Sequence, residues 1–123
     1  MPTKRSALGK EGEDFACEYL TKKGYEILER NFRKPWGELD IVARAPDRTL
    51  VFVEVKTMRD SGPEGLKPED QMSPAKRKKF TRTAMLYAGS HENFMDDKKG
   101  WRMDVITLLK REEKFEVQHY ENI

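Results

Sequence analysis

The sequence has little of what several protein classes require. It contains one cysteine and two histidines in 123 residues, which excludes an intramolecular disulfide framework and leaves no zinc-binding spacing. No apolar run reaches the length of a membrane span, and the polar N-terminus shows no signal-peptide pattern. These absences predict a cytoplasmic protein without membrane contact, in which Cys17 is a small core residue of a helix.

Charge, by contrast, is abundant and almost balanced. Charged and hydrophobic residues each make up 37% of the chain, and the net charge is +2. Bulk electrostatics therefore do not identify a nucleic-acid binder, and the positions of the charges matter more than their sum. The length is sufficient for one core, so we expect a single domain over residues 1–123.

Hydrophobic periodicity and turn residues predict the element order α-β-β-β-α-β-β. Helices are predicted over 6–23 and from Ser73 to Ala88 or His91, and strands over 25–33, 38–44, 50–57, 101–109 and 114–120. Glycine, proline and charge between residues 58 and 72 predict a long flexible loop, and such loops are usually functional or mobile. The predicted fold class is α/β, with a mixed sheet flanked by helices and the last strand at an edge.

The most strand-like segment, GELDIVARAPDRTLVFVEVKT at 37–57, carries charges where a buried strand should have none. They are Glu38, Asp40, Glu54 and Lys56. A three-residue turn at 46–48 would place Asp40 opposite Glu54, and Glu38 opposite Lys56, on one face of the hairpin. The other face then carries ordinary core residues, namely Leu39, Ile41, Val51, Val53 and Val55.

Two carboxylates held roughly 4.5–5.5 Å apart at Cβ repel unless a proton or a cation lies between them. Mg2+ or Mn2+ would resolve this conflict, because carboxylate oxygens are preferred ligands of hard cations. Lys56 would then stand beside the metal and stabilise charge on a phosphate oxygen or orient water. The acid-x-Lys pattern alone is weak, since it occurs four times in the chain. A solvated sheet face with cross-strand ion pairs explains the same residues equally well.

A third carboxylate lies on the first predicted helix. Glu13 falls at the margin of the apolar face, so it can reach over the sheet toward Asp40 and Glu54. Gly9 and Gly12 each cost about 1 kcal/mol relative to alanine in a helix, which predicts a close approach of backbone or ligand there. The alternative is that Glu13 belongs to a solvated acidic helix start.

The second predicted helix is strongly basic. Five cations fall within seven residues, namely Lys76, Arg77, Lys78, Lys79 and Arg82. Because they repel one another, a polyanion is the expected partner, with Lys76, Lys79 and Arg82 binding nucleic acid. A solvated charged face is the alternative.

Several other residues have less specific predictions. Arg102 and Asp104 alternate along the strand at 101–109, where they either support the site or pair with each other. His91 and His119 lack metal-ligand spacing. The methionines and both tryptophans are expected in the core.

The ordered motifs together resemble a known family. Gly9-Lys-Glu-Gly12-Glu13, followed by GYEILERNFR, GELDIVA, LVFVEVKT, SPAKRKKF and WRMDVI, is similar to the YraN family of small bacterial proteins predicted to be nucleases. Members of that family look like distant relatives of archaeal Holliday junction resolvases, with the restriction-endonuclease-like PD-(D/E)xK fold. The resemblance covers roughly residues 9–109.

The resemblance implies a role for each matched residue. It implies Asp40 and Glu54 as metal-binding acids and Lys56 as the catalytic lysine. Glu13 matches the helical acid of the resolvase-like branch. The remaining matches are Lys76, at the basic position opening the second helix, and Glu38, Arg102 and Asp104, at motif positions with supporting roles.

Three functions stay open at this stage. The leading prediction is a Mg2+- or Mn2+-dependent endonuclease that hydrolyses DNA, rather than RNA, at branched structures, where two-fold symmetry favours a homodimer. The second is a nucleic-acid-binding module without turnover, whose DNA binding would not change in Glu54→Ala. The third is a protein-interaction domain that docks a partner through residues 58–72.

Overall fold

The computed structural model describes residues 4–59 and 72–123. Its elements are the helices α1 (Lys4–Lys22) and α2 (Pro74–Ser90) and the strands β1 (Glu26–Lys34), β2 (Gly37–Arg44), β3 (Leu50–Arg59), β4 (Trp101–Arg111) and β5 (Lys114–Tyr120). The order α-β-β-β-α-β-β confirms the predicted fold class. Met58 and Arg59 extend β3 into the predicted loop, and the rest of that loop, 60–71, lies outside the described residues.

The five strands form one mixed sheet in the order β1-β2-β3-β4-β5. The β3–β4 pair is parallel, and the other three pairs are antiparallel. The parallel pair requires a crossover, which contains α2. β5 lies at an edge, as predicted.

The two helices cover opposite faces of the sheet. Ala16 and Leu20 of α1 pack in a core cluster with Val51 and Val53 of β3. The alternate β3 residues Leu50 and Phe52 face a second cluster, which α2 supplies with Phe80, Ala84, Tyr87 and Ala88. Burying a large apolar side chain contributes roughly 1.5–3 kcal/mol, so both layers hold the sheet firmly between them. Within the described ranges, no helix is long and apolar enough to cross a membrane.

Two glycines let the helices approach the sheet closely. A Cβ atom on Gly12 of α1 would overlap the side chain of Thr57 in β3. A Cβ atom on Gly37 of β2 would overlap the side chain of Thr83 in α2. The close approach predicted at Gly12 is therefore confirmed. At Gly9 no protein atom of the described residues lies within 4 Å of the Cβ position, so the predicted approach of backbone is wrong there and that of a ligand stays a prediction.

Two side chains that were expected in the core are instead exposed. Trp36, in the turn between β1 and β2, is 39% exposed, and Met85 on the outer side of α2 is 58% exposed. Trp101 is partly buried against the α2 cluster, and Met103 is buried within it. The prediction therefore fails where the residue lies in a turn or on the outward face of α2, because neither position points at the sheet.

Candidate active site

The β2–β3 hairpin has the predicted three-residue turn. Ala45 N–H donates to the Thr49 carbonyl at 2.9 Å, and the Asp47 carboxylate accepts from the Thr49 N–H at 2.9 Å. The ladder continues from this turn as far as the pair Ile41–Val53. The predicted register is thus confirmed over the buried part of the hairpin.

Asp40 lies where the regular alternation of β2 breaks. Leu39 packs in the cluster under α2, whereas Ile41 packs in the cluster under α1. The prediction that these two residues share a face is therefore wrong. Opposite Asp40 on β1, Asn31 has a φ of 53°, a left-handed conformation that departs from regular strand geometry. The Asp40 carboxylate leaves the ladder and accepts a hydrogen bond from the Val55 N–H of β3 at 2.9 Å.

This irregularity corrects the predicted pairing of the four hairpin charges. The β2–β3 ladder ends one residue before Asp40 and Glu54, so the two are not a ladder pair. Glu38 forms an ion pair with Arg33 of β1 instead of Lys56, because β1–β2 pairing extends to Gly37 at the start of β2 while β2–β3 pairing stops at Ile41. Lys56 instead pairs with Glu54 of its own strand at 3.1 Å.

Asp40, Glu54 and Glu13 nevertheless share one electrostatic environment. Burial, and then the negative charge of Glu54, raise the pKa of Asp40 to about 7. Glu13 adds to that rise, while the hydrogen bond from the Val55 N–H opposes it. Glu13 is 8% exposed, and its carboxylate accepts from Arg30 at 3.4 Å. Among the described residues Asp40 has no ion-pair partner, so a bound cation would offset the remaining cost of its ionised form.

The donor set suits a hard divalent cation. Asp40 and Glu54 offer carboxylate oxygens, which Mg2+ and Mn2+ prefer. Within residues 4–59 and 72–123, however, Glu13, Asp40 and Glu54 do not form a group whose oxygens all lie within 4.8 Å of one another. A metal shared by Asp40 and Glu54 stays a prediction that fits this chemistry, and so does Glu13 as a third ligand.

Two lysines from different elements meet beside Glu54. Lys76, in the first turn of α2, is close enough to Lys56 for each lysine to change the pKa of the other. Burial lowers the pKa of Lys56, but the interaction with Lys76 and the charge of Glu54 outweigh it, and the net pKa is raised. The neighbouring Lys56, together with burial, lowers the pKa of Lys76. Lys56 is therefore held as an ammonium next to Glu54.

The start of α2 is fixed by the predicted cap. Ser73 Oγ accepts a hydrogen bond from the Lys76 N–H at 3.2 Å, and Pro74 occupies the first helical position. This cap sets the point at which α2 begins beside the end of β3, and with it the place of Lys76 at the site.

A cleft with a volume of about 230 Å³ separates the sheet from α2 at this point. Glu38 and Glu54 line the sheet wall, and Lys76 and Lys79 line the helix wall. Acidic groups can hold a cation on one side while the lysines bind phosphate on the other. Of the three cations predicted to bind nucleic acid, Arg82 alone lies outside this cleft, in grooves further along α2.

A second polar cluster lies around Asp104 of β4. Asp104 is 0% exposed and accepts hydrogen bonds from Arg102 Nε at 3.0 Å, His119 Nε2 at 2.8 Å and the Asn122 N–H at 3.0 Å. Burial raises the pKa of Asp104, but these bonds outweigh it and leave the pKa below its usual value. Arg102 and Asp104 were expected either to support the site or to pair with each other, and in the structure they form an ion pair.

The same cluster can hold a metal ion. Asp104, His119 and Glu121 each offer a ligand atom, and these atoms lie within 4.8 Å of one another. Spacing along the chain did not reveal this role for His119, because the three residues come together only when β5 pairs with β4. Arg102 already contacts Asp104 and Glu121, at 3.0 and 3.3 Å, and supplies the cationic charge that a metal would bring.

Known proteins resemble this chain over most of its length. Residues 12–108 match the model of "Uncharacterised protein family UPF0102". A UPF0102 protein of Syntrophotalea carbinolica is 42% identical over 120 residues, which cover 98% of this chain and 93% of the relative. A UPF0102 protein of Pelobacter propionicus is 46% identical over 104 residues, which cover 82% of this chain and 69% of the relative.

Among solved structures, the chain has a weak similarity to Pyrococcus furiosus SfsA in complex with Ca2+. The TM-score is 0.34 and the identity 14%, over 94% of this chain and 62% of that chain. A similarity of this size carries no argument about the site.

Proposed function

The chain belongs to the UPF0102 (YraN) family, and we propose that it is a metal-dependent endonuclease that hydrolyses phosphodiester bonds of DNA. One observation carries the proposal. Asp40 and Lys56 lie next to Glu54 where the β2–β3 ladder ends, and Lys76 and Lys79 of α2 face Glu54 across the cleft. This arrangement combines oxygen ligands for a cation with ammonium groups for a phosphate.

Asp40 and Glu54 would hold the metal, with Glu13 as the predicted third carboxylate. When bound, Mg2+ or Mn2+ supplies a Lewis acid that polarises a phosphoryl oxygen and lowers the pKa of coordinated water. The burial of Asp40 and its repulsion from Glu54 support this role, since a bound cation would offset both costs.

The lysines would position and neutralise the substrate. Lys56 is kept charged beside Glu54, where it can stabilise negative charge that develops on a phosphate oxygen. Lys76 and Lys79 line the opposite wall and would bind backbone phosphates next to the scissile one. A branched DNA substrate, and a homodimer that matches its two-fold symmetry, belong to the same proposal.

Cleavage of labelled four-way junction, flap, single-stranded and linear duplex DNA tests the proposal. Each substrate is incubated with Mg2+, Mn2+ or EDTA. The isosteric Glu54→Gln and the uncharged Lys56→Met are compared with Glu113→Gln, which changes a carboxylate that is 86% exposed, in the β4–β5 turn.

We expect metal-dependent cleavage by the wild type and by Glu113→Gln, and a loss of about 100-fold or more in Glu54→Gln and Lys56→Met. DNA binding without cleavage in any metal would identify the silent binding module instead. If the wild type neither cleaves nor binds at low salt, a protein-interaction domain is the better description.

A further inference from the structure

A groove next to the candidate active site has a different chemistry. It lies between the β1–β2 turn and the C-terminal half of α2, and its volume of about 810 Å³ is in the range of small-ligand sites. We propose that this groove binds unpaired nucleotides of a DNA substrate, with Trp36 as the surface on which a base stacks. The proposal rests on the proposed function, because it names the form of DNA that the same site would cleave.

Trp36 is held in place although it is exposed. Its ring lies 5.7 Å from that of Phe32, at an interplanar angle of 59°. Phe32 is buried and in turn contacts the fully buried Tyr87 edge-on at 5.1 Å. The indole is therefore braced on one side by a core aromatic while 39% of the residue remains accessible. A fixed, exposed aromatic face is the feature on which single-stranded nucleic acids stack.

The charges around Trp36 are complementary to phosphate. Arg33, Lys34 and Arg82 line the groove, and Glu29 is the acid among its described lining residues. The Glu29 carboxylate is occupied by a hydrogen bond from the Tyr87 hydroxyl at 2.5 Å. Neither Lys34 nor Arg82 forms an ion pair within residues 4–59 and 72–123. Arg33 is paired with Glu38, so Lys34 and Arg82 are the cations beside the aromatic face that favour a polyanion carrying flat bases.

The groove continues into the candidate active site on both walls. On the sheet side, Arg33 lines the groove and pairs with Glu38, which lines the cleft. On the helix side, Lys79 lines the cleft and Arg82, three residues later, lines the groove. A strand bound along both would place its phosphates beside Lys79 and Arg82 on the helix side.

The distance along β2 sets how far the stacked base is from the scissile phosphate. Trp36 precedes Asp40 by four residues, or about 13 Å in an extended strand. At about 3.4 Å per nucleotide along a duplex strand, this is within about four nucleotides. Bases inside a duplex are stacked on each other, so only unpaired ones can use Trp36. The proposed substrate is therefore DNA with a single-stranded arm or gap next to the cleavage point.

Binding measured without cleavage tests this proposal. Fluorescence anisotropy in EDTA compares a labelled blunt duplex with the same duplex carrying a short oligo-dT arm. Trp36→Phe keeps an aromatic face and Trp36→Leu removes it. Met85→Ala is the matched control, because it changes an exposed apolar side chain of α2 outside this groove.

We expect the wild type, Trp36→Phe and Met85→Ala to bind the armed duplex about tenfold more tightly than the blunt one. Trp36→Leu should lose that preference while its affinity for the blunt duplex stays the same. An arm preference that persists in Trp36→Leu, or that is absent from the wild type, overturns the proposal.

Intrinsic fluorescence gives a second readout that does not depend on affinity. The other tryptophan, Trp101, packs against Phe52 of the α2 cluster. Quenching on addition of the arm should therefore occur in the wild type and disappear in Trp36→Phe. Quenching that persists in Trp36→Phe places the base elsewhere and contradicts the proposal.

The outcome can be separated from that of the nuclease proposal. Glu54→Gln should keep the arm preference, because the groove does not contain Glu54. A protein that never cleaves but loses its arm preference in Trp36→Leu supports the groove and removes the nuclease. A protein that cleaves with metal but keeps its arm preference in Trp36→Leu supports the nuclease proposal and removes the groove proposal.

Discussion

The Asp40 carboxylate accepts a hydrogen bond from the Val55 N–H at 2.9 Å, which joins the irregular point of β2 to the residue between Glu54 and Lys56 in β3. Since side chains alternate along a strand, Glu54 and Lys56 project from the same face on either side of that bond. The contact brings an acid from one strand to an acid and a lysine of the next, without the ladder pair expected from a regular hairpin. It is the structural basis of the proposed active site.

The pKa of Asp40 predicts how metal-free stability depends on pH. The pKa is about 7 in the folded protein against 3.8 for an ordinary aspartate, so the folded state binds the proton more tightly than the unfolded state does. The stabilisation is complete below about pH 4 and is lost as the pH rises toward 7. In Asp40→Asn this loss should disappear, and urea unfolding in EDTA should show the variant to be more stable than the wild type at pH 8, on the order of a few kcal/mol. If the free energy of unfolding depended on pH equally in the wild type and in Asp40→Asn, the raised pKa of Asp40 would be contradicted.

Bound metal should reverse the stability difference between the wild type and Asp40→Asn at pH 8. Mg2+ or Mn2+ bound by Asp40 and Glu54 stabilises only the folded state, so the wild type should gain stability with metal concentration. Asp40→Asn should gain much less, because it lacks one of the two predicted charged ligands. Thermal unfolding in a metal titration at pH 8 measures both proteins. A similar gain in the two would place the bound ion elsewhere, for instance at the Asp104 cluster.

The Asp104 cluster should contribute to stability. Asp104→Asn leaves the guanidinium of Arg102 and the ring of His119 without their buried carboxylate, and it should destabilise the fold by roughly 3–5 kcal/mol. Glu121→Gln, which changes a more exposed partner of Arg102, should cost less than about 1 kcal/mol. Urea unfolding at pH 7 compares the two variants with the wild type. If the two variants lost the same free energy of unfolding, the burial of Asp104 would not contribute to stability.

Two glycines on one helix offer a matched pair of substitutions. Gly12→Ala places a methyl group into Thr57, and we expect a loss of about 1–3 kcal/mol from overpacking. Gly9→Ala has open space, and its higher helix propensity should stabilise the protein by about 0.5–1 kcal/mol. Thermal unfolding of both variants checks the opposite signs. If Gly12→Ala were also stabilising, the close packing of α1 on β3 would be contradicted.

Lys79 should contribute to DNA binding through charge. Removing one phosphate contact in Lys79→Ala should lower the slope of log affinity against log salt by about 0.9 for duplex DNA. Lys98→Ala, in the segment before β4, is the control, because that lysine lies outside both the cleft and the groove. Titrations at several salt concentrations give the two slopes. A slope that falls equally in both variants would mean that binding does not depend on the cleft.

The sequence was sufficient for the fold because its signals are local. Ser73 and Pro74 mark the start of α2, and the turn at 46–48 sets the hairpin register confirmed from Ala45–Thr49 to Ile41–Val53. Asp40 lies just beyond that register, opposite Asn31 of β1 with its left-handed φ of 53°, and the sequence pattern of β2 gives no sign of this irregularity. His119 joins Asp104 only through strand pairing. Trp36 was expected in the core because composition alone does not separate a turn tryptophan from a buried one.

Cleavage of branched DNA by the wild type and Asp40→Asn, with Mg2+, Mn2+ or EDTA, is the most direct test of the proposed metal-dependent nuclease. Asn can keep the hydrogen bond from the Val55 N–H, so the substitution removes a charge while leaving the local structure in place. The expected result is cleavage by the wild type that requires metal, and a loss of about 100-fold or more in the variant. Cleavage by Asp40→Asn at the wild-type rate, or cleavage by the wild type in EDTA, would contradict it.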